Sequence, residues 1–153
     1  MKTIKFENFD ITLPDDYEPK KIPWFNEWVD ALEGGKYRQC KEEAFALLKN
    51  KSLTRCCLAV LSTVQNRFSK SKPKYNECVE HSYGDGENYI QFDGGLSPDN
   101  PCYAQLDSTG IFPEKISVCR PSFGYARCLV DCNDVLQLTF KEIAQVIKIV
   151  WKP

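Results

Sequence analysis

Pro23-Trp24-Phe25-Asn26-Glu27-Trp28-Val29-Asp30-Ala31-Leu32-Glu33-Gly34-Gly35 is the stretch that decides the fold class. Trp24, Phe25, Trp28, Val29 and Leu32 stand at i, i+1, i+4, i+5 and i+8, so one apolar stripe runs along a helix. Proline suits the first turn, where a backbone N–H has no helical acceptor. Gly34-Gly35 stops the helix, because glycine takes the left-handed cap at little steric cost. Two more helices are expected downstream. One covers Lys41 to Leu48, with Ala44, Phe45, Leu47 and Leu48 apolar. The other carries Cys57, Leu61, Val64 and Phe68 at i, i+4, i+7 and i+11, and Ser69-Lys70-Ser71-Lys72-Pro73 ends it.

Outward from this helical unit the pattern changes on both sides. Residues 1–22 read as a strand or extended arm, since Ile4, Phe6, Phe9 and Ile11 partly alternate before Leu13-Pro14-Asp15-Asp16. From Tyr75 to Pro121, glycine and proline punctuate short runs, and Tyr89-Ile90-Gln91-Phe92 has strand character. Pro113-Glu114-Lys115-Ile116 predicts one helical turn, and Ala126 to Cys132 a short helix or strand. Asn133-Asp134 then reads as a turn or cap before the closing helix. That last helix opens on Thr139-x-x-Glu142, a capping box in which two early backbone N–H groups gain side-chain acceptors. Leu138 to Ala144 has the look of a helix-turn-helix entry, which the capping box alone explains.

Size and charge narrow the function classes. At 153 residues the chain reads as one domain, residues 1–153, with no linker or internal repeat. With 42% hydrophobic and 27% charged residues it can build a core without metal or disulfide support. The net charge of −1 gives no overall field that attracts nucleic acid, and Lys70, Lys72 and Lys74 read as a solvated loop. Met1-Lys2-Thr3-Ile4-Lys5 has no signal-peptide character, and no apolar run reaches the roughly 20 residues of a membrane span. A cytoplasmic protein is therefore expected. The eight cysteines are then reduced thiols, acting mainly as small core hydrophobes.

Three ordered blocks carry a resemblance. Trp28, Ala31, Leu32, Gly35, Tyr37 and Gln39 form the first; Cys56-Cys57-Leu58-Ala59-Val60-Leu61 the second; Asn133-Asp134 with Thr139-Phe140-Lys141-Glu142-Ile143-Ala144 the third. Together they resemble a family of small proteins encoded by bacteriophages and prophage-bearing bacteria. Its members read Trp-x-x-Ala-Leu-x-x-Gly-x-Tyr-x-Gln, then Cys-Cys-Leu-Gly-Val-Leu, then Leu-Asn-Asp and Ser/Thr-Phe-x-Glu-Ile-Ala. This chain has alanine at Ala59 for the usual glycine and cysteine at Cys132 for the usual leucine. The likeness does not extend to residues 69–125. It implies a phage-type accessory protein in a host bacterial cytoplasm, and it implies no reaction or cofactor.

Three constellations could carry chemistry. Cys57, at a helix start beside Arg55, would be a thiolate nucleophile, with His81 as base and Asn133 orienting it, in the order of papain-like hydrolases. Cys78 with His81, and Cys128 with Cys132, offer four soft ligands of the kind zinc takes. Tyr83, Tyr89, Phe92 and Tyr103 fall in the loop-rich region, where exposed aromatics make a contact surface. The expected architecture is α+β: a helical unit over 23–68 and a C-terminal helical segment over 126–153, packed around a small antiparallel sheet or loop-rich insertion over 69–125. The expected function is binding of a bacterial host protein or a small ligand, without catalysis, cofactor or membrane. The cysteine hydrolase is the alternative.

Overall fold

The structure, a computed structural model, describes residues 1–22, 24–41, 45–47, 53–64, 110–113 and 115–153. In chain order these form β1 (Lys2–Lys5), β2 (Asp10–Leu13), β3 (Lys20–Lys21), α1 (Phe25–Glu33), β4 (Arg38–Gln39), β5 (Phe45–Leu47) and β6 (Leu53–Arg55). There follow α2 (Cys57–Val64), β7 (Ser117–Arg120), β8 (Gly124–Ala126), α3 (Leu129–Asp134), α4 (Phe140–Val150) and β9 (Trp151–Lys152). The fold is mixed α+β, with four helices, a four-stranded antiparallel sheet, and α1 packed against α4.

The N-terminal residues alternate because one face of their hairpin is buried. β1 pairs with β2, β2 with β7, and β7 with β8, all antiparallel. Register sets Ile4 opposite Ile11, Ile11 opposite Val118, and Val118 opposite Ala126, giving one apolar row facing the core. Side chains two residues apart share a face, so the neighbouring rows point outward. Lys5, Asp10, Cys119 and Tyr125 make one outer row; Thr3, Thr12 and Ser117 make the other. The antiparallel sheet is thus built from the N-terminal arm and residues 117–126, over a long sequence separation. The strand expected at Tyr89–Phe92 lies outside the described residues.

α1 buries Trp28, Val29 and Leu32 of the expected stripe, whereas Phe25 is partly buried and Trp24, just before the helix, is 43% exposed. The Gly34 N–H donates to the Asp30 carbonyl at 2.8 Å, and Gly35 turns left-handed at φ 71°. A Cβ at Gly35 would meet nothing within 4 Å, so glycine is favoured there by backbone conformation alone. The first five residues of α2, Cys57 to Leu61, are apolar and all buried, as befits a helix inside a core.

The helix expected over Lys41 to Leu48 is not formed. Its described part, Phe45–Leu47, is a strand paired antiparallel with β6, and β4 pairs with β6 on the other side in parallel. A single-strand apolar run of this length fits either state; pairing with Leu53–Arg55 decides it. Among the described residues, the expected three-helix unit is therefore two helices and a small three-stranded sheet. Pro113–Ile116 closes a turn, with the Ile116 N–H donating to Pro113 O at 3.4 Å. Asn133-Asp134 is not a turn before the closing helix but the last turn of α3.

α4 begins as its capping box predicts. The Glu142 N–H donates to Thr139 Oγ1 at 3.2 Å, and the Thr139 N–H donates to Glu142 Oε2 at 2.8 Å. Asn8 Nδ2 adds a bond to Glu142 Oε1 at 2.8 Å, joining the helix start to the β1–β2 turn. Burial pushes the Glu142 carboxyl up, but these donors together with Arg120 leave it below its ordinary value. At the far end Tyr17 Oη donates to the Val150 carbonyl at 2.6 Å, and β9 leaves the helix to pair in parallel with β3. Lys148 and Glu33 form an ion pair between α4 and α1. Among the described residues no helix is long and apolar enough to cross a membrane.

Replacing Thr139 by alanine removes the acceptor for the Glu142 N–H and is expected to lower stability by about 1 kcal/mol, while Thr139→Ser retains it. Urea denaturation of both variants, read by circular dichroism with unchanged slope, checks this.

Candidate functional site

Two of the blocks that carry the resemblance meet around one buried amide. Asn133, on α3, is 0% exposed. Its Nδ2 donates to the Cys40 carbonyl at 2.8 Å and to Asp134 Oδ1 at 2.6 Å. Its Oδ1 accepts from Gln39 Nε2 at 2.9 Å, and the same Gln39 amide donates to the Leu138 carbonyl at 2.8 Å. Lys41 Nζ reaches the Asn133 carbonyl at 3.1 Å. β4, α3 and the approach to α4 are tied together by this node. An unmade bond in such a place is expensive, which is reason enough for glutamine and asparagine at these two positions.

The other block residues are also tied into the framework. Trp28 Nε1 donates to the Cys57 carbonyl at 2.9 Å, so α1 is bonded to the first residue of α2. The Tyr37 ring lies 4.8 Å from the Arg55 guanidinium carbon, a cation–π contact. Arg55 is itself buried, and its Nε donates to Thr63 Oγ1 at 3.0 Å. Thr63 passes the chain on to the Ala59 carbonyl at 2.8 Å.

The thiols line the seam between α2 and α3. Cys57 is 0% exposed, and its Sγ donates to the Leu129 carbonyl at 3.7 Å. Burial first, then the neighbouring Cys56 and Cys132, raises its pKa well above the ordinary thiol value. Cys132 is raised in the same way, again chiefly by burial. Cys56 stands at the start of α2, where its Sγ accepts from the Ala59 N–H at 3.4 Å. Burial pushes Cys56 up to about 12, against the partial relief of that bond. Cys128 repeats the arrangement at the start of α3, its Sγ accepting from the Asp131 N–H at 3.4 Å.

The candidate catalytic set is placed accordingly. Cys57 lies at a helix start beside Arg55 in sequence, as expected, yet its sulfur is sealed and its proton held. Both amide hydrogens of Asn133 are committed, and its oxygen already takes Gln39. His81 lies outside the described residues, as do Cys78, Tyr83, Tyr89, Phe92 and Tyr103. Cys128 and Cys132 share α3 and its cap, within electrostatic reach of one another. Among the described residues no three His, Cys, Asp or Glu side chains gather as a metal site.

Sequence reasoning missed the charged rim of the node. Arg120 Nη1 donates to the carbonyls of Leu136 and Gln137, each at 3.0 Å, and its guanidinium carbon lies 4.3 Å from the Phe123 ring centroid. Lys41 has its pKa lowered by burial, with Asp134 opposing. No periodic signal marks Lys41 or Arg120, because each serves backbone carbonyls brought together only by the fold. An open cleft of about 240 Å³ lies elsewhere, between the β1–β2 turn and α4, lined by Phe6, Glu7, Asn8, Phe9, Lys141, Glu142 and Gln145. In comparisons with family models, curated proteins and solved structures, the chain matches none of them.

Two measurements test this account. Asn133→Ala removes the bonds to the Cys40 carbonyl and from the Gln39 amide, and is expected to destabilise by about 1–3 kcal/mol; Asp134→Ala, at the rim, costs less. Chemical denaturation of the pair gives the comparison. The second concerns alkali. A thiol whose pKa is raised on folding, here Cys56 from 9.0 to about 12, favours the native state fully below pH 9. That contribution is lost as pH climbs toward 12, because the unfolded state releases the proton first. The urea midpoint should fall steadily above pH 9, with a flatter profile in Cys56→Ala.

Proposed function

We propose that this chain is a phage-type accessory protein that binds a bacterial host protein or a small ligand in the host cytoplasm, without catalysis. The observation that carries the reading is the state of Cys57: the best nucleophile candidate is wholly enclosed and holds its proton against the Leu129 carbonyl. A thiol attacks as its thiolate, from a partly exposed and electropositive position, and burial in apolar surroundings removes both conditions. The residues of the resemblance serve as framework: Trp28 holds α2, Gln39 holds Asn133, Tyr37 covers Arg55. Recognition is then assigned to residues 75–125, through Tyr83, Tyr89, Phe92 and Tyr103. Tyrosine and phenylalanine supply large contact area for few frozen rotors, which is why such residues anchor interfaces.

The test begins with tagged protein incubated in a bacterial lysate, followed by mass spectrometry of captured proteins and of small molecules released by heat. The component found is then purified and titrated against three proteins. Wild type should bind it. Combined Tyr83→Ala, Tyr89→Ala, Phe92→Ala and Tyr103→Ala should bind at least about tenfold more weakly, near 1.4 kcal/mol. Cys57→Ala should bind as wild type does. Loss of binding in Cys57→Ala with an unchanged circular dichroism spectrum would overturn the reading.

A further inference from the structure

The vicinal cysteines have different surroundings. Cys57 points to α3 and is sealed, whereas Cys56 is 8% exposed and lies within electrostatic reach of Cys40, the residue after β4. In the parallel pairing of β4 with β6, Arg38 stands opposite Thr54 and Gln39 opposite Arg55. The Cys40 N–H donates to the Arg55 carbonyl at 2.9 Å, the bond that completes the last rung. One further step in the same register sets Cys40 opposite Cys56. Neighbouring strands lie about 4.7–4.9 Å apart, and disulfides join Cα atoms about 4.4–6.8 Å apart. Cys40, at 9% exposure, sits at the same rim, and its thiol is within electrostatic reach of both Cys56 and Arg55.

Among the described residues, Cys57 and Cys132 are worse partners for Cys56. Joining Cys56 to Cys57 would close a strained ring across a single peptide bond at the first turn of α2. Cys132 is in the sealed seam with Cys57.

We propose that Cys40 and Cys56 are a peroxide-sensitive pair that closes to a reversible disulfide joining the end of β4 to the start of α2. Hydrogen peroxide is small enough to reach a thiol at the rim. The Cys40 sulfur, within electrostatic reach of Arg55, attacks one peroxide oxygen as it gives up its proton; the O–O bond breaks, and the departing hydroxide takes that proton. This leaves Cys40 as a sulfenic acid and gives one water. The Cys56 sulfur then attacks the Cys40 sulfur; the S–O bond breaks, and the departing hydroxide leaves as a second water with the Cys56 proton. Two thiols are oxidised, one peroxide is reduced, and a dithiol reverses the bond. Burial holds the Cys56 proton until high pH, so closure speeds up as pH rises.

The bond acts where the framework is joined. Cys40 supplies the carbonyl that Asn133 holds, and Cys56 caps α2 through the Ala59 N–H. Oxidation therefore fixes residues 41–55 as a closed covalent loop between the node and the helix start.

The experiment uses the full, folded chain. It is treated with hydrogen peroxide, quenched, unfolded in acidic urea, labelled with a maleimide and digested by trypsin without reductant. The expected product is the peptide 39–41 linked to the peptide that begins at Cys56, two hydrogens lighter than their sum. Fragmentation should put the maleimide on Cys57, and dithiothreitol should release both peptides. Cys57→Ala should keep the link, and Cys40→Ala should abolish it. A link between Cys56 and Cys57, a link of either Cys40 or Cys56 to any other cysteine, or both residues recovered as labelled thiols would each overturn the proposal. The wild-type map decides the matter even if a variant fails to fold.

Discussion

One buried amide holds the two halves of this protein in register. Asn133 has no access to water, and all of its strong donors and its acceptor are met by Gln39, the Cys40 carbonyl and Asp134. Because a buried polar group without partners costs more than a made bond returns, this arrangement is close to all or nothing. It fixes where β4 meets α3. Through the second bond of Gln39 to Leu138, it also fixes the direction from which the chain enters α4. The helix pair α1 and α4, the seam of α2 with α3, and the thiols within that seam all take their positions from this junction.

The helices that belong to local chemistry were legible in the sequence. α4 announced itself by Thr139 and Glu142, and α1 by its stripe and the two glycines, since these signals act within one or two turns. What depends on distant pairing was not legible. Phe45–Leu47 has enough apolar character for a helix, and it is a strand only because Leu53–Arg55 lies alongside. The N-terminal arm was readable as extended, but nothing in it names residues 117–126 as its partner. Asn133 was visible as a polar residue before a helix, and short polar side chains there are usually caps. Its burial follows from Gln39, 94 residues away in sequence, which no local pattern connects to it.

The cysteines show how one residue type is put to separate uses by depth. At the centre of the seam Cys57 and Cys132 behave as small apolar side chains whose thiols stay protonated. At the starts of two helices Cys56 and Cys128 accept a backbone N–H, a place more often held by serine or threonine. A thiol is a weak acceptor but sits comfortably against hydrocarbon, and so it can cap a helix whose first turn is already indoors.

The strand pairings also bear on how the chain is made. β2 precedes β7 by about a hundred residues yet pairs with it, and β3 waits for β9 at residues 151–152. During synthesis, then, β2 and β3 remain without these neighbours until the distant segments have been made. Contacts so remote in sequence slow folding and leave apolar strand surface uncovered in the meantime. In the nascent chain, Ile11 and Leu13 are therefore natural places for a ribosome-associated chaperone to hold.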